Sequence, residues 1–216
     1  MKLTLYHYWR SSSSWRVRWA LAHKGIAAKY IPVSLLDGEA ESPTHRTRNP
    51  LGYVPALEIE IEGTTRFLTQ SLAICHWLDE QFPQAPSILG GKDPWLRAKV
   101  RELAEIINAD TQPLQNLGVQ ELHSSDATEK KLWAQHWIRN GLAAYETLAR
   151  SSSGIYSVGD AVSIADFCLI PQLYNARRYD LPVENLFPTL ARIELAAKDT
   201  PSYSASEPAR FEPKEG

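Results

Sequence analysis

Two cysteines, one methionine and eleven glycines are all that 216 residues hold of those three types. Cys75 and Cys168 are too few for a disulfide framework, and neither sits in a CxxC pair, so a stapled secreted domain and a dithiol redox centre are both excluded. No stretch approaches the roughly 18 consecutive apolar residues of a membrane span. The opening MKLTLYHYWRSSSSWR lacks the apolar core of a signal peptide. An excess of charge is missing too: 23 Lys and Arg stand against 25 Asp and Glu, a net charge of -2. That balance gives no electrostatic footprint for nucleic acid or for an anionic membrane. The six histidines, His7, His23, His45, His76, His123 and His136, show no metal-ligand spacing, and no metal is expected. The expectation is a soluble protein of a reducing compartment, the cytoplasm.

What is present is enough for a core. The hydrophobic fraction is 44%, which suits one large or two small domains. Residues 2–8 alternate like a strand, and residues 14–24 turn helical, with Val17, Ala20 and Leu21 at i, i+3 and i+4 before Gly25. Residues 29–35 read as a second strand, with a helix expected before the next. From 56 to 62, Leu57, Ile59 and Ile61 alternate strictly with Glu58, Glu60 and Glu62. Gly63-Thr64 turns the chain into a short strand ending at Leu68. A helix over 70–81 follows, with Ile74, Trp77, Leu78 and Phe82 on one stripe. The order is βαβ, a helix, then ββα.

The stretch FPQAPSILGGKDP packs prolines and glycines together and reads as a linker over 83–93, dividing residues 1–82 from 94–216. Beyond it helices are expected over 95–110, 128–150 and from Ser163, where Ser163 and Asp166 make a capping box. Pro171 is expected to kink or perturb that last helix. The tail from 201 has no period and reads as irregular. The fold class is therefore α+β, a mixed N-terminal domain followed by an all-α one.

The densest chemical signal is Trp9-Arg10-Ser11-Ser12-Ser13-Ser14-Trp15-Arg16, between a strand and a helix. Hydroxyls there sit beside unpaired helix amides, where an anion such as a thiolate is stabilised. A serine at that place also caps helices as a matter of course. Arg10 precedes the helix and has the fork geometry that grips carboxylates. Arg16 and Arg18, two residues apart, read as solvated or ion-paired surface. Asn49-Pro50-Leu51-Gly52-Tyr53-Val54-Pro55 feeds the alternating strand, the isomer at Pro55 being open. Gln70-Ser71 offers a second helix start to a carboxylate, or simply another cap. Cys75 and Cys168 lie in apolar helical stretches and read as packing residues.

In their joint order these motifs resemble the thioredoxin-like glutathione-binding half of the cytosolic glutathione transferases, and the helical half after a proline-rich linker fits that superfamily. Within it the chain is most similar to the zeta class, with its maleylacetoacetate and maleylpyruvate isomerases, through Arg10-Ser11-Ser12-Ser13-Ser14-Trp15-Arg16-Val17-Arg18. The likeness continues at Gln112-Pro113-Leu114-Gln115-Asn116-Leu117, Gly159-Asp160, Ser163-Ile164-Ala165-Asp166, Pro171-Gln172 and Asn175-Ala176-Arg177-Arg178. It covers residues 2 to roughly 200.

The resemblance implies a glutathione-dependent cis–trans isomerase of a small acidic enedione, serving aromatic-compound breakdown or a biosynthetic pathway with the same chemistry. Ser11 takes the place of the thiolate-stabilising serine, with Ser12 and Ser13 lining the turn. Val54, next to a cis Pro55, is implied to pair with the cysteinyl part of glutathione, and Gln70 and Ser71 with its γ-glutamyl carboxylate. His45 is placed near its glycine end. Arg10 and Arg178 are implied to hold substrate carboxylates, with Gln112 and Asn116 close by on the first long helix. Arg178 is preferred to Arg177 by the N-A-x-R spacing. A homodimer is implied as well. The family's motif cysteine is Ser13 here, a change of tuning, and the tail departs from the family's ending. A transferase conjugating glutathione to an electrophile such as a haloacid is the rival enzyme, and a non-catalytic glutathione-fold binding protein the third reading.

Overall fold

The structure, a computed structural model, describes residues 1–213. The chain forms two compact units, one of Met1–Ser87 together with the segment from Pro201, the other of Ile88–Thr200.

In the first unit, β1 (Lys2–His7) pairs in parallel with β2 (Lys29–Pro32) and antiparallel with β3 (Ala56–Ile61), which pairs antiparallel with β4 (Thr64–Thr69). The sheet order is β2-β1-β3-β4. A parallel neighbour needs a crossover, and α1 (Ser12–His23) supplies it. This is the thioredoxin-like arrangement. Along β3 the expected alternation decides the pairing: Leu57 and Ile59 are buried, and Glu58 on the other side accepts from the Tyr6 hydroxyl at 2.9 Å. Between β2 and β3 lie a 3₁₀ turn at Glu39–Glu41 and one turn of α-helix, α2 (Pro43–Arg46); after β4, α3 (Ser71–Gln81) packs on α1.

The second unit is helical: α4 (Pro94–Asn108), α5 (Leu117–His123), α6 (Ala127–Ser152), α7 (Ile164–Arg178), α8 (Val183–Leu186) and α9 (Pro188–Lys198). Nearly all of α7 is buried, and it runs on through Pro171. The proline removes one rung of the helix ladder, and apolar neighbours on every side hold the helix in place of that rung. At its start the capping box forms, with Asp166 accepting from the Ser163 amide at 2.9 Å and from the Ser163 hydroxyl at 3.2 Å. Its other carboxylate oxygen accepts from the Ser157 amide at 2.9 Å. Burial pushes the Asp166 carboxyl above its ordinary range, and these hydrogen bonds draw it back.

Three expectations are corrected. The tail is not irregular: α10 (Pro201–Ser206) and a 3₁₀ turn at Pro208–Arg210 follow, and they pack with the first unit, not the second. Six residues are too few to show a period, and their stability is tertiary. Tyr203 packs tilted against Trp15 and edge-on against Trp19, whose indoles donate to the Ser206 and Ser202 hydroxyls at 3.2 and 3.1 Å. Of the expected linker, Ile88 and Leu89 are buried, and the Ile88 carbonyl accepts from the Ile164 amide at 2.9 Å, so the second half of that stretch is part of the helical unit. Gln112 and Asn116 are not on the first long helix. That helix stops at Asn108, where the Gln112 amide bonds back to Ile107 and Pro113 bars a further turn.

Candidate active site

Beyond the end of β1 the chain makes a tight turn, with the Ser11 amide donating to Tyr8 at 3.1 Å, and then enters α1. Ser11 is the N-cap: its hydroxyl oxygen accepts from the Ser14 amide at 3.2 Å, which leaves the hydroxyl proton for another acceptor. Ser12 and Ser13 are the first two residues of the helix, so their amides have no carbonyl within it. The Ser14 hydroxyl turns inward and accepts from the Tyr8 amide at 3.3 Å, closing the loop from below. No acidic residue lies in the first turn of α1 to compete for the positive end of the helix. Arg10 lies over the Trp9 ring at 5.3 Å and forms no ion pair among the described residues.

Two further segments of the same unit carry candidate site residues. The Val54–Pro55 bond is cis. The buried Val54 offers a backbone amide and carbonyl with no hydrogen-bond partner among the described residues, so an extended peptide can pair there in strand fashion. His45 is buried and donates from Nε2 to the Tyr53 carbonyl at 2.9 Å, and Asn49 donates to the same oxygen at 2.8 Å. His45 thus braces the loop that presents Val54. Gln70 caps α3 with φ 67° and ψ 111°, a conformation that a non-glycine side chain resists. Strain of this kind persists only where its surroundings enforce it, and it collects at ligand sites. Its side chain is exposed beside the free amides that open α3.

The second unit carries the other candidates. Gln112 donates to Gln172 at 3.2 Å, and Gln115 and Gln172 exchange amide hydrogen bonds at 3.0 and 2.9 Å. Asn116 caps α5, its oxygen accepting from Gly118 at 3.2 Å. Gln172 and Arg178 are both on α7, about 9 Å apart along its axis. Arg177 is committed to Glu184 at 2.8 Å and Glu194 at 2.6 Å, whereas Arg178 is exposed and its guanidinium bonds, among the described residues, Asn175 alone, at 3.0 Å. A guanidinium available for a carboxylate is therefore the one at 178. Cys75 and Cys168 are both fully buried, as packing residues are.

Arg16 and Arg18 contradict the expectation of a solvated surface: both are fully buried. Trp15, Val17, Trp19, Ala20 and Leu21 surround the helix with apolar groups, so α1 has no wet face for a charge. That all-round apolar pattern was the available signal. Arg16 donates to the Ser71 hydroxyl at 3.0 Å, linking the helix that starts at the serine turn to the start of α3. A cavity of about 490 Å³ lined by Leu3, Lys24, Ile26, Phe82 and Pro86 lies toward the start of β1, away from these residues. Lys24 is fully engaged there, with Asp79 at 2.9 Å and the Pro86 carbonyl at 3.0 Å.

Sheet order, serine turn and unpaired Val54 backbone together define a thioredoxin-like protein of the glutathione transferase kind. Residues 1–80 match the glutathione S-transferase N-terminal domain family. The chain belongs to the maleylacetoacetate isomerase family, the zeta class of glutathione transferases. It is 44% identical over 207 residues to the probable maleylacetoacetate isomerase 2 of Drosophila melanogaster, covering 95% of this chain and 87% of that one. The Anaeromyxobacter dehalogenans maleylacetoacetate isomerase, with glutathione bound in its active site, superposes with a TM-score of 0.88 at 46% identity, over 97% of this chain and 96% of that one. The same bacterial enzyme has been solved with dicarboxyethyl glutathione and citrate in the active site, at a TM-score of 0.89 and 44% identity over 100% and 98% of the two chains.

Proposed function

We propose that this chain is a glutathione-dependent cis–trans isomerase of a small acidic enedione of the maleylacetoacetate or maleylpyruvate type. The observation that carries the reading is the Ser11 hydroxyl, whose oxygen is occupied by the Ser14 amide and whose proton is therefore aimed elsewhere. The donor set fits glutathione. Val54 offers both backbone groups to its cysteinyl residue, and the amides opening α3, with Gln70 and Ser71, suit its γ-glutamyl carboxylate. His45, being buried, acts on its glycine end only through the loop it braces.

Bound glutathione supplies a thiolate, whose reversible addition to the conjugated double bond allows rotation and whose elimination returns it unchanged. The protein does the rest. Ser11 donates to the sulfur, and the first turn of α1, with Ser12 and Ser13, holds negative charge at its positive end. That favours the thiolate near neutral pH. Arg10 and Arg178 are the guanidiniums assigned to the substrate carboxylates, with Gln112 and Asn116 as further substrate contacts. Charge that builds on the enedione oxygen is stabilised by these fixed donors, so no carboxylate acid–base pair is needed.

A homodimer in the cytoplasm completes the reading. Ile61 and Phe67 on the β3–β4 hairpin and Trp95 on α4 are large apolar side chains left exposed, the kind of surface a partner copy covers. The rival, conjugation of glutathione to a small electrophile, is favoured by the dicarboxyethyl glutathione in the bacterial relative. Arg178→Ala separates the two. For a dicarboxylic enedione, kcat/KM is expected to fall on the order of 10–100-fold, as loss of a charge-assisted contact does. With a neutral electrophile it should stay within about twofold. An equal loss with both would contradict carboxylate recognition by Arg178.

A further inference from the structure

Arg18 is a buried cation with no carboxylate among the described residues to neutralise it. Instead its guanidinium donates to backbone carbonyls on two sides. One arm reaches Trp9 at 2.9 Å and another Tyr8 at 3.3 Å, the two residues just ahead of Arg10 and Ser11. The second arm also meets His7 Nδ1 at 3.3 Å, and because guanidinium only donates, that nitrogen is an acceptor. Burial and the Arg18 charge hold His7 neutral, down at about 4. On the far side Nε donates to the Ser206 carbonyl at 3.0 Å, and the Phe211 ring lies 4.6 Å from the guanidinium carbon. Phe211 in turn packs edge-on against His7 and Tyr30. An uncompensated buried charge is costly, and its retention here fixes one geometry: the C-terminal segment, the guanidinium and the loop leading to the serine turn are one hydrogen-bonded block.

We propose that Arg18 is a positioning residue for thiolate stabilisation, and that the segment from Pro201 to Phe211 is the clamp that holds it against the Tyr8 and Trp9 carbonyls. The inference rests on the functional reading of Ser11. With the clamp in place, the turn presents the Ser11 hydroxyl and the first α1 amides in one arrangement, and the buried charge adds to the positive field there. When it is loosened, the turn keeps its helix cap but loses its fixed approach. The thiolate loses stabilisation while the Val54 and Gln70 contacts to glutathione remain. The C-terminal segment, which touches no reacting atom, thereby sets the pH at which the thiol ionises.

The test uses full-length wild type, Phe211→Ala, which removes the ring over the guanidinium together with its edge contacts to His7 and Tyr30, and Arg18→Lys, which keeps the charge and loses the fork. Ionisation of bound glutathione is followed by thiolate ultraviolet absorbance against pH, beside kcat and KM. For Phe211→Ala the midpoint is expected to move up, with kcat at neutral pH reduced on the order of 3–10-fold, the scale of a cation–π contact, and KM for glutathione within about twofold. Arg18→Lys should show the same direction, more strongly. Folded variants with the wild-type midpoint and kcat overturn the proposal and leave Arg18 a structural residue, even if they melt earlier. Should Arg18→Lys fail to fold, the Phe211→Ala midpoint decides alone. A wild-type protein that ionises no glutathione overturns the functional reading, and this inference with it, before any variant is compared.

Discussion

Ser11→Ala is expected to lower kcat/KM by about 10²–10³, the scale seen when one donor to a developing anion is removed from a preorganised site. The hydroxyl has two separable duties. Its oxygen caps α1 through the Ser14 amide, and losing that costs about 1 kcal/mol of stability. Its proton stabilises the sulfur anion, and losing that raises the thiol's ionisation midpoint. The sign follows: below the raised midpoint less thiolate exists, so the acid limb of kcat/KM moves to higher pH and part of the lost activity returns as pH rises. Ser11→Thr preserves both duties and should recover most of the rate. A cap-only role predicts the opposite pattern, a lower melting temperature with the pH profile in place.

The largest stability effect is expected at Asp166. Its carboxylate is fully buried and is the acceptor for the Ser157 amide, the Ser163 amide and the Ser163 hydroxyl. Asp166→Ala strands those donors away from water, each at about 1–3 kcal/mol, and removes the cap of the most buried helix. Local relaxation, and the freedom of the Ser163 hydroxyl to turn to another acceptor, hold the total below the plain sum, at about 3–5 kcal/mol, a large share of a typical domain's 5–15 kcal/mol. The loop carrying Ser157 also accepts from Tyr145 at 2.9 Å, so the damage extends from α7 to α6. Asp166→Asn keeps the shape and one acceptor and should fall between. Denaturant unfolding measures both; a loss below about 1 kcal/mol for Asp166→Ala would mean that the buried network contributes nothing net.

Much of this was legible from residues alone, wherever the physics is local. The alternation of Leu57 and Ile59 with glutamates has one solution, a half-buried strand, and Ser163 with Asp166 is a helix start whatever surrounds it. The serine turn is local too, because a cap and an anion site use the same orphan amides. The misses are tertiary. Arg16 and Arg18 are of a type almost never fully buried unless paired, and only the apolar ring of Trp15, Val17, Trp19 and Leu21 around them signals burial. The six residues of α10 have no period to read, since their order comes from Trp15 and Trp19. Gln112 and Asn116 lie past the end of α4, where the Gln112 amide turns back to Ile107 and Pro113 cannot continue a helix, a boundary that the likeness of the Gln112–Leu117 stretch does not carry. Spacing favours Arg178 over Arg177 without a cause, and Glu184 and Glu194 supply the physical reason by occupying Arg177.

The most direct test of the central claim incubates the full-length protein with a maleyl-type cis-enedione, with and without glutathione, then identifies the product and counts the remaining thiol. The account predicts conversion to the trans isomer only when glutathione is present, with all of the glutathione recovered. A stable glutathione thioether accumulating in proportion to substrate consumed would contradict it and make the protein a conjugating transferase.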